Sequence, residues 1–127
     1  MTKKPFILIV EDDPGSLLLA TAVLEADGFV VEGFASAEAA RHAIARRQPA
    51  LILMDIGLPG MDGLDFTREL KSTSKTAAIP IVALTANNMP LYERAATAAG
   101  CEGFIEKPVS PTLLAGEVRR FLSLEAQ

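Results

Sequence analysis

The feature that most constrains this chain is a repeated beat: short apolar runs of β-favouring residues, each broken by a polar or turn residue and followed by a helical pattern. Phe6-Ile7-Leu8-Ile9-Val10 is the first run, and it stops at three acids, Glu11-Asp12-Asp13. A strand apolar at consecutive positions has both faces covered, as in a parallel sheet flanked by helices. Asp13 followed by Pro14 reads as a helix N-cap with proline at the first helical position. That helix is predicted to run to about Asp27 and stop at Gly28, with Leu19, Ala20, Val23 and Leu24 as its core stripe.

The beat then repeats. Phe29 to Phe34 is a second strand, where Glu32 and Gly33 mark a sheet edge, and Ser36 caps a second helix to about Arg47, ended by Pro49. Leu51 to Met54 is a third strand, ending at Asp55, and a loop too rich in turn residues for regular structure follows from Gly57 to Gly63. A third helix is expected from about Leu64 to Ser72, with Phe66 and Leu70 on one face. Ile81 to Leu84 is a fourth strand, ending at Thr85, and an Ala-rich helix spans about Pro90 to Ala99. Gly103 to Glu106 is a short fifth strand, ending at Lys107-Pro108. Ser110-Pro111 then signals a last helix, ending about five residues before the terminus, that buries Leu114, Val118, Phe121 and Leu122. Five strands alternating with helices make an α/β fold, (βα)5, with a parallel sheet covered on both sides.

Composition narrows the class. The chain has 127 residues, half of them hydrophobic, which suits one core and one domain over residues 1–127, its body at about 5–123. Lys plus Arg number 12 against 16 Asp plus Glu, so no general affinity for nucleic-acid phosphate is expected. No apolar run approaches the ~20 residues of a membrane span, and no secretory leader pattern opens the chain. Cys101 stands alone and cannot form an internal disulfide, in keeping with a reducing compartment. A cytoplasmic protein without membrane or nucleic-acid partners is the expectation.

The unusual polar residues fall at strand ends: Glu11 and Asp12, then Asp55, Thr85 and Lys107. In open α/β sheets ligands bind beyond the carboxyl ends of the strands, where the strand order reverses. With order 2-1-3-4-5, the first and third strands are neighbours ~4.8 Å apart, so Asp12 and Asp55 would face one small volume. Crowded carboxylates repel unless they are protonated with raised pKa values or neutralised by a hard divalent cation with oxygen ligands. A hydroxyl at Thr85 and an ammonium at Lys107 suit a tetrahedral anion beside such a metal, and the composite fits phosphoryl transfer. Whether phosphate is substrate, product or covalent modification is open on these grounds.

At these residues the sequence resembles the receiver domain of two-component response regulators. The matching stretches are Ile9-Val10-Glu11-Asp12-Asp13, the run from Leu53-Met54-Asp55 through Ile56-Gly57-Leu58-Pro59-Gly60-Met61-Asp62-Gly63, then Ala83-Leu84-Thr85-Ala86 and Gly103-Phe104-Ile105-Glu106-Lys107-Pro108. The likeness covers essentially the whole chain and is nearest in character to single-domain regulators of the DivK and chemotaxis type. It implies a flavodoxin-like fold. It also implies Asp55 as phosphoacceptor, Asp12 as direct Mg²⁺ (or Mn²⁺) ligand, Glu11 acting through water, and the Gly57 backbone carbonyl as a further ligand. Thr85, followed by Ala86, matches the switch hydroxyl, Phe104 the switch aromatic and Lys107 the phosphate counter-ion. The Lys107–Pro108 bond is expected to be cis.

The implied partners are a sensor histidine kinase or histidine phosphotransfer protein and a downstream protein, contacted through the fourth helix, fifth strand and fifth helix; whether phosphorylation also drives a homodimer is open on the sequence. Two positions depart from the family pattern. Phe104 stands where many relatives have tyrosine, and Gly57 stands where a larger side chain is usual; Gly57 and Asn87 occupy places that tune phosphoryl lifetime in the family, and the bare glycine points to faster turnover. A phosphatase with an aspartyl-phosphate intermediate would need a second aspartate where Gly57 stands, so a phosphoacceptor rather than an enzyme is expected. A degenerate binding module and a piece of a hybrid kinase or longer regulator are the competing readings.

Several other features have plainer accounts. Asp13 is a cap, the glycine pattern Gly57, Gly60, Gly63 is a loop turn rather than a dinucleotide fingerprint, and His42 lies on a solvated face beside Arg41, Arg46 and Arg47. Cys101 is a small half-buried residue. Leu17, Leu18 and Ala22 fall off the expected core stripe of the first helix, beside the acidic pocket, and are read as a partner-docking patch.

Overall fold

The computed structural model describes residues 4–56, 62–85 and 90–125. Strands β1 (Phe6–Val10), β2 (Val30–Phe34), β3 (Leu51–Asp55), β4 (Ile81–Thr85) and β5 (Gly103–Glu106) alternate with helices α1 (Pro14–Ala26), α2 (Ala37–Arg46), α3 (Gly63–Lys71), α4 (Pro90–Ala99) and α5 (Leu114–Glu125). The sheet is wholly parallel with order β2-β1-β3-β4-β5, the doubly wound, flavodoxin-like arrangement expected. β1, β3 and β4 are buried at every position, which is why each reads as an unbroken apolar run. The edge strand β2 is half exposed, and it carries a charge and a glycine in mid-run.

Alternation along the strands divides the core in two. Leu8, Val10, Ile52, Met54 and Ala83 pack under α2, α3 and α4 against Ile44, Phe66, Leu70 and Ala96. Ile7, Ile9, Leu53, Val82 and Leu84 pack under α1 and α5 against Leu24, Leu114, Val118 and Phe121. Each fully buried side chain of this size contributes about 1.5–3 kcal/mol. Capping fixes where the helices begin: Asp13 accepts the Ser16 N–H at 2.8 Å, Ser36 the Ala39 N–H at 3.2 Å, and Asp62 the Asp65 N–H at 2.8 Å. A bidentate pair, Arg41 Nε and Nη2 to Glu69 at 2.7 and 2.8 Å, ties α2 to α3. Burial works against both charges, but the pair outweighs it, raising Arg41 and lowering Glu69 from their ordinary values.

Three expectations are corrected. Phe29 does not open β2: it is buried, and its N–H closes α1 by donating to the Leu24 carbonyl at 3.1 Å. The last helix begins at Leu114, not at Pro111, and runs to Glu125. The Ser110 carbonyl accepts from both Leu113 and Leu114, at 3.2 and 3.0 Å, so a tighter turn precedes the helix. Finally, the core stripe of α1 is Leu17, Ala20 and Leu24 with Val23 half-buried, whereas Leu19 is 38% exposed. Leu17 fills the space beside Gly33, where a Cβ would lie 2.5 Å from Leu17 Cδ1. It therefore faces the sheet, and only Leu18 and Ala22 of the expected docking residues are exposed.

Candidate functional site

The parallel register brings the polar strand ends together. β1 and β3 pair from Ile7–Leu51 to Val10–Met54, so the residues that follow, Glu11-Asp12 and Asp55, emerge side by side. Glu11 is held by backbone on both sides: its N–H donates to the Phe34 carbonyl at 2.9 Å, and its Oε2 accepts the Asp13 N–H at 3.1 Å. Glu11, Asp12 and Asp55 each offer a carboxylate oxygen, and these oxygens lie within 4.8 Å of one another. Glu11 and Asp55 are buried while Asp12 is exposed, so the cluster opens to water on one side only.

Lys107 closes the other side. β5 pairs with β4 so that Glu106 sits beside Thr85, and the Lys107 N–H donates to the Thr85 carbonyl at 2.6 Å. Lys107 Nζ then lies 2.7 Å from Glu11 Oε1 and 3.5 Å from Asp55 Oδ2. The shorter contact is a charge-assisted pair that gives buried Glu11 Oε1 its nearest cation. Burial pushes the Glu11 carboxyl above its ordinary range, Lys107 pulls it back, and Asp55 pushes it further up. Burial also disfavours the Lys107 ammonium, but Glu11 and Asp55 outweigh it and hold Lys107 above its ordinary value. The Lys107–Pro108 peptide bond is cis, as the resemblance implies.

Three carboxylates against one ammonium leave the cup short of positive charge. An all-oxygen donor set of three crowded carboxylates and one open side fit a hard divalent cation that keeps part of its water. Thr85 is buried at the end of β4, on the opposite strand face from Leu84. Phe104, half-buried, pairs with Ala83 on that same face and lines a groove with Glu93, Arg94 and Thr97 of α4. Gly57, Ala86 and Asn87 lie outside the described residues. His42 is exposed, as expected, while Cys101 is 7% exposed rather than half-buried. Sequence reasoning missed Thr67, a buried hydroxyl inside the apolar face of α3 that donates to the Gly63 carbonyl at 2.7 Å. Its i, i+4 spacing from Gly63 was the available signal.

A doubly wound sheet with this acidic cup and a lysine at its carboxyl edge defines a class, and comparison with known proteins agrees. Residues 7–119 match the response regulator receiver domain. The chain belongs to that family. It is 34% identical over 122 residues to the polar-differentiation response regulator DivK of Brucella ovis, covering 96% of this chain and 98% of that one. It is also 36% identical over 126 residues to the sensor histidine kinase GacS of Pseudomonas protegens, covering 97% of this chain but 14% of that protein. Among solved structures, a putative response regulator from Chloroflexus aurantiacus superposes with a TM-score of 0.91 at 30% identity, over 95% of this chain and 99% of that one. Receiver domains generally use Mg²⁺, and among the described residues here Glu11, Asp12 and Asp55 could hold a metal.

Proposed function

We propose that this chain is a phosphorylation-switched receiver in which Asp55 accepts a phosphoryl group from a phosphohistidine on a sensor kinase or phosphotransfer protein. The observation that carries this reading is the convergence of the Glu11, Asp12 and Asp55 carboxylates, with Lys107 Nζ 3.5 Å from Asp55 Oδ2. An Asp55 oxygen attacks phosphorus, the P–O bond forms as the P–N bond breaks, and the imidazole keeps the electron pair and takes a proton from water. Mg²⁺, when bound, supplies charge to the phosphoryl oxygens. Asp12 and Asp55 would hold it directly and Glu11 through water, and the Gly57 carbonyl would supply a further oxygen. Lys107 neutralises the transferred group, which it reaches by leaving Glu11 Oε1, and positioning does the rest.

The acyl phosphate adds close to two negative charges beside buried Thr85. The Thr85 hydroxyl turns toward it, the Phe104 ring moves into the vacated space, and the face of α4, β5 and α5 is remodelled for a downstream protein or a second copy. Hydrolysis of the acyl phosphate resets the switch, so the chain is a phosphoacceptor rather than a conventional enzyme. Kinase docking falls on exposed Leu18 and Ala22 of α1, beside the cup. The same Asp55 chemistry serves in a regulator of DivK's length and within a longer sensor such as GacS, both of which this chain resembles. A cytoplasmic setting follows from this role, and no helix among the described residues is long and apolar enough to cross a membrane.

Incubation with acetyl phosphate and Mg²⁺ is expected to add one phosphoryl mass to the wild type and none to Asp55→Asn. Labelling of the variant, or neither labelling nor beryllofluoride binding by the wild type, returns the degenerate binding module. Leu18→Glu is expected to slow transfer from the cognate kinase about tenfold, the effect of ~1.4 kcal/mol at an interface, while acetyl phosphate labelling stays unchanged. Equal loss of both refutes the docking face.

A further inference from the structure

We infer that Gly63, held by Thr67, is a positioning residue for Asp55; this rests on the receiver reading above. Gly63 is buried in the first turn of α3, the helix that follows the segment leading away from Asp55 and Ile56. A Cβ placed on it would overlap the Asp55 carbonyl oxygen and lie 2.7 Å from Ile56 Cα and 2.9 Å from the Asp55 carbonyl carbon. The obstacles are backbone atoms, so no side-chain rotation relieves them. Gly63 is not among the glycines with positive φ, which among the described residues are Gly28 and Gly100. Space, not backbone conformation, therefore demands glycine here.

The contact is clamped from the helix side. The Asp62 carboxylate accepts the Asp65 N–H at 2.8 Å, and the Thr67 hydroxyl donates to the Gly63 carbonyl at 2.7 Å. Thr67 is fully buried, next to Cys101 Sγ at 4.0 Å. The first turn of α3 thus bears directly on the peptide that carries the phosphoacceptor, and any added atom at position 63 must move α3 or that peptide. Asp55 gains most from being fixed there: its carboxylate shares a volume in which three acids lie within 4.8 Å. Displacements well under 1 Å matter for in-line attack, and about 1 Å can cost on the order of 100-fold in rate.

The test compares Gly63→Ala, Thr67→Val, Thr67→Ser and Leu70→Ala in the full chain, with labelling by acetyl phosphate, Mg²⁺ affinity by amide-shift titration, and Tm. Leu70→Ala loosens the same helix away from the cup. The expected result is labelling at least about tenfold slower in Gly63→Ala, a smaller loss in Thr67→Val, recovery in Thr67→Ser, and wild-type labelling in Leu70→Ala despite its lower Tm. Should Gly63→Ala fail to fold, the Thr67→Val and Thr67→Ser pair decides alone. Wild-type rates in Gly63→Ala or Thr67→Val overturn the inference, as does slowing in Leu70→Ala proportional to its Tm loss. A wild type that neither binds Mg²⁺ nor is labelled overturns the receiver reading itself, a distinct outcome.

Discussion

The two ends of one sheet are built on opposite principles. At the amino ends of the strands, charge is settled: Arg47 stacks 4.2 Å from the Phe6 ring, Arg119 stacks 4.7 Å from Phe29 while pairing with Asp27 at 2.7 Å, and Lys71 pairs with Glu102 at 2.8 Å. Glu102 also accepts the Ile81 N–H, so even the start of β4 is satisfied. At the carboxyl ends, three acids crowd one lysine. The same five strands support both. The amino end uses its charges to cover apolar rings and finish the fold, and the carboxyl end keeps a negative imbalance that a cation can relieve.

Breaking the pair at the carboxyl end is expected to have the largest effect on stability. Lys107→Ala leaves buried Glu11 without its nearest cation, at a cost of about 3 kcal/mol, the lower end for a broken buried pair because one side of the cup is open. Mg²⁺ should restore part of that loss. For the wild type, Mg²⁺ at ten times its Kd adds about 1.4 kcal/mol, and thermal melts with and without the ion measure both. A Lys107→Ala variant as stable as wild type without Mg²⁺ would erase the contrast between the two ends.

The amino end responds more weakly and at a different pH. Burial at the start of β5 pushes the Cys101 thiol up to about 11 from an ordinary 9, against a smaller opposing pull from Thr67. Between those values the unfolded chain gives up the proton and the folded chain keeps it. Stability therefore falls as pH rises from 9 towards 11, by about 2 kcal/mol at most, and is untouched below 9. Melts of wild type against Cys101→Ala across that range isolate the difference, and iodoacetamide should modify the native thiol slowly at pH 8. Smallest of all, Arg47→Ala removes one exposed ring contact and should cost no more than about 1 kcal/mol in urea unfolding.

Much of this was legible in the chain because it is local. Buried parallel strands announce themselves as apolar runs, and Asp13 and Ser36 announce helix starts because a cap acts within three residues. The acids at strand ends were legible as a site because topology places successive parallel strand ends on one edge. The phase of α1 was not. Leu17-Leu18-Leu19 are alike, so periodicity alone cannot say which faces inward; the gap over Gly33 in a neighbouring strand does. Asp62 caps α3 with its side chain, a role that the glycine-rich turn sequence around it hides.

By itself, then, the sequence determined the alternating strands and helices, the parallel sheet and the list of acids, hydroxyl and lysine at its carboxyl edge. These follow from backbone preference, burial and capping, which act over a few residues. Only the tertiary structure decided that Lys107 sits nearer Glu11 than Asp55, that Leu17 turns inward, and that Gly63 abuts the Asp55 carbonyl. Each of these is a contact between segments whose separation in sequence carries no periodic signal, settled by which atoms compete for the same few ångströms.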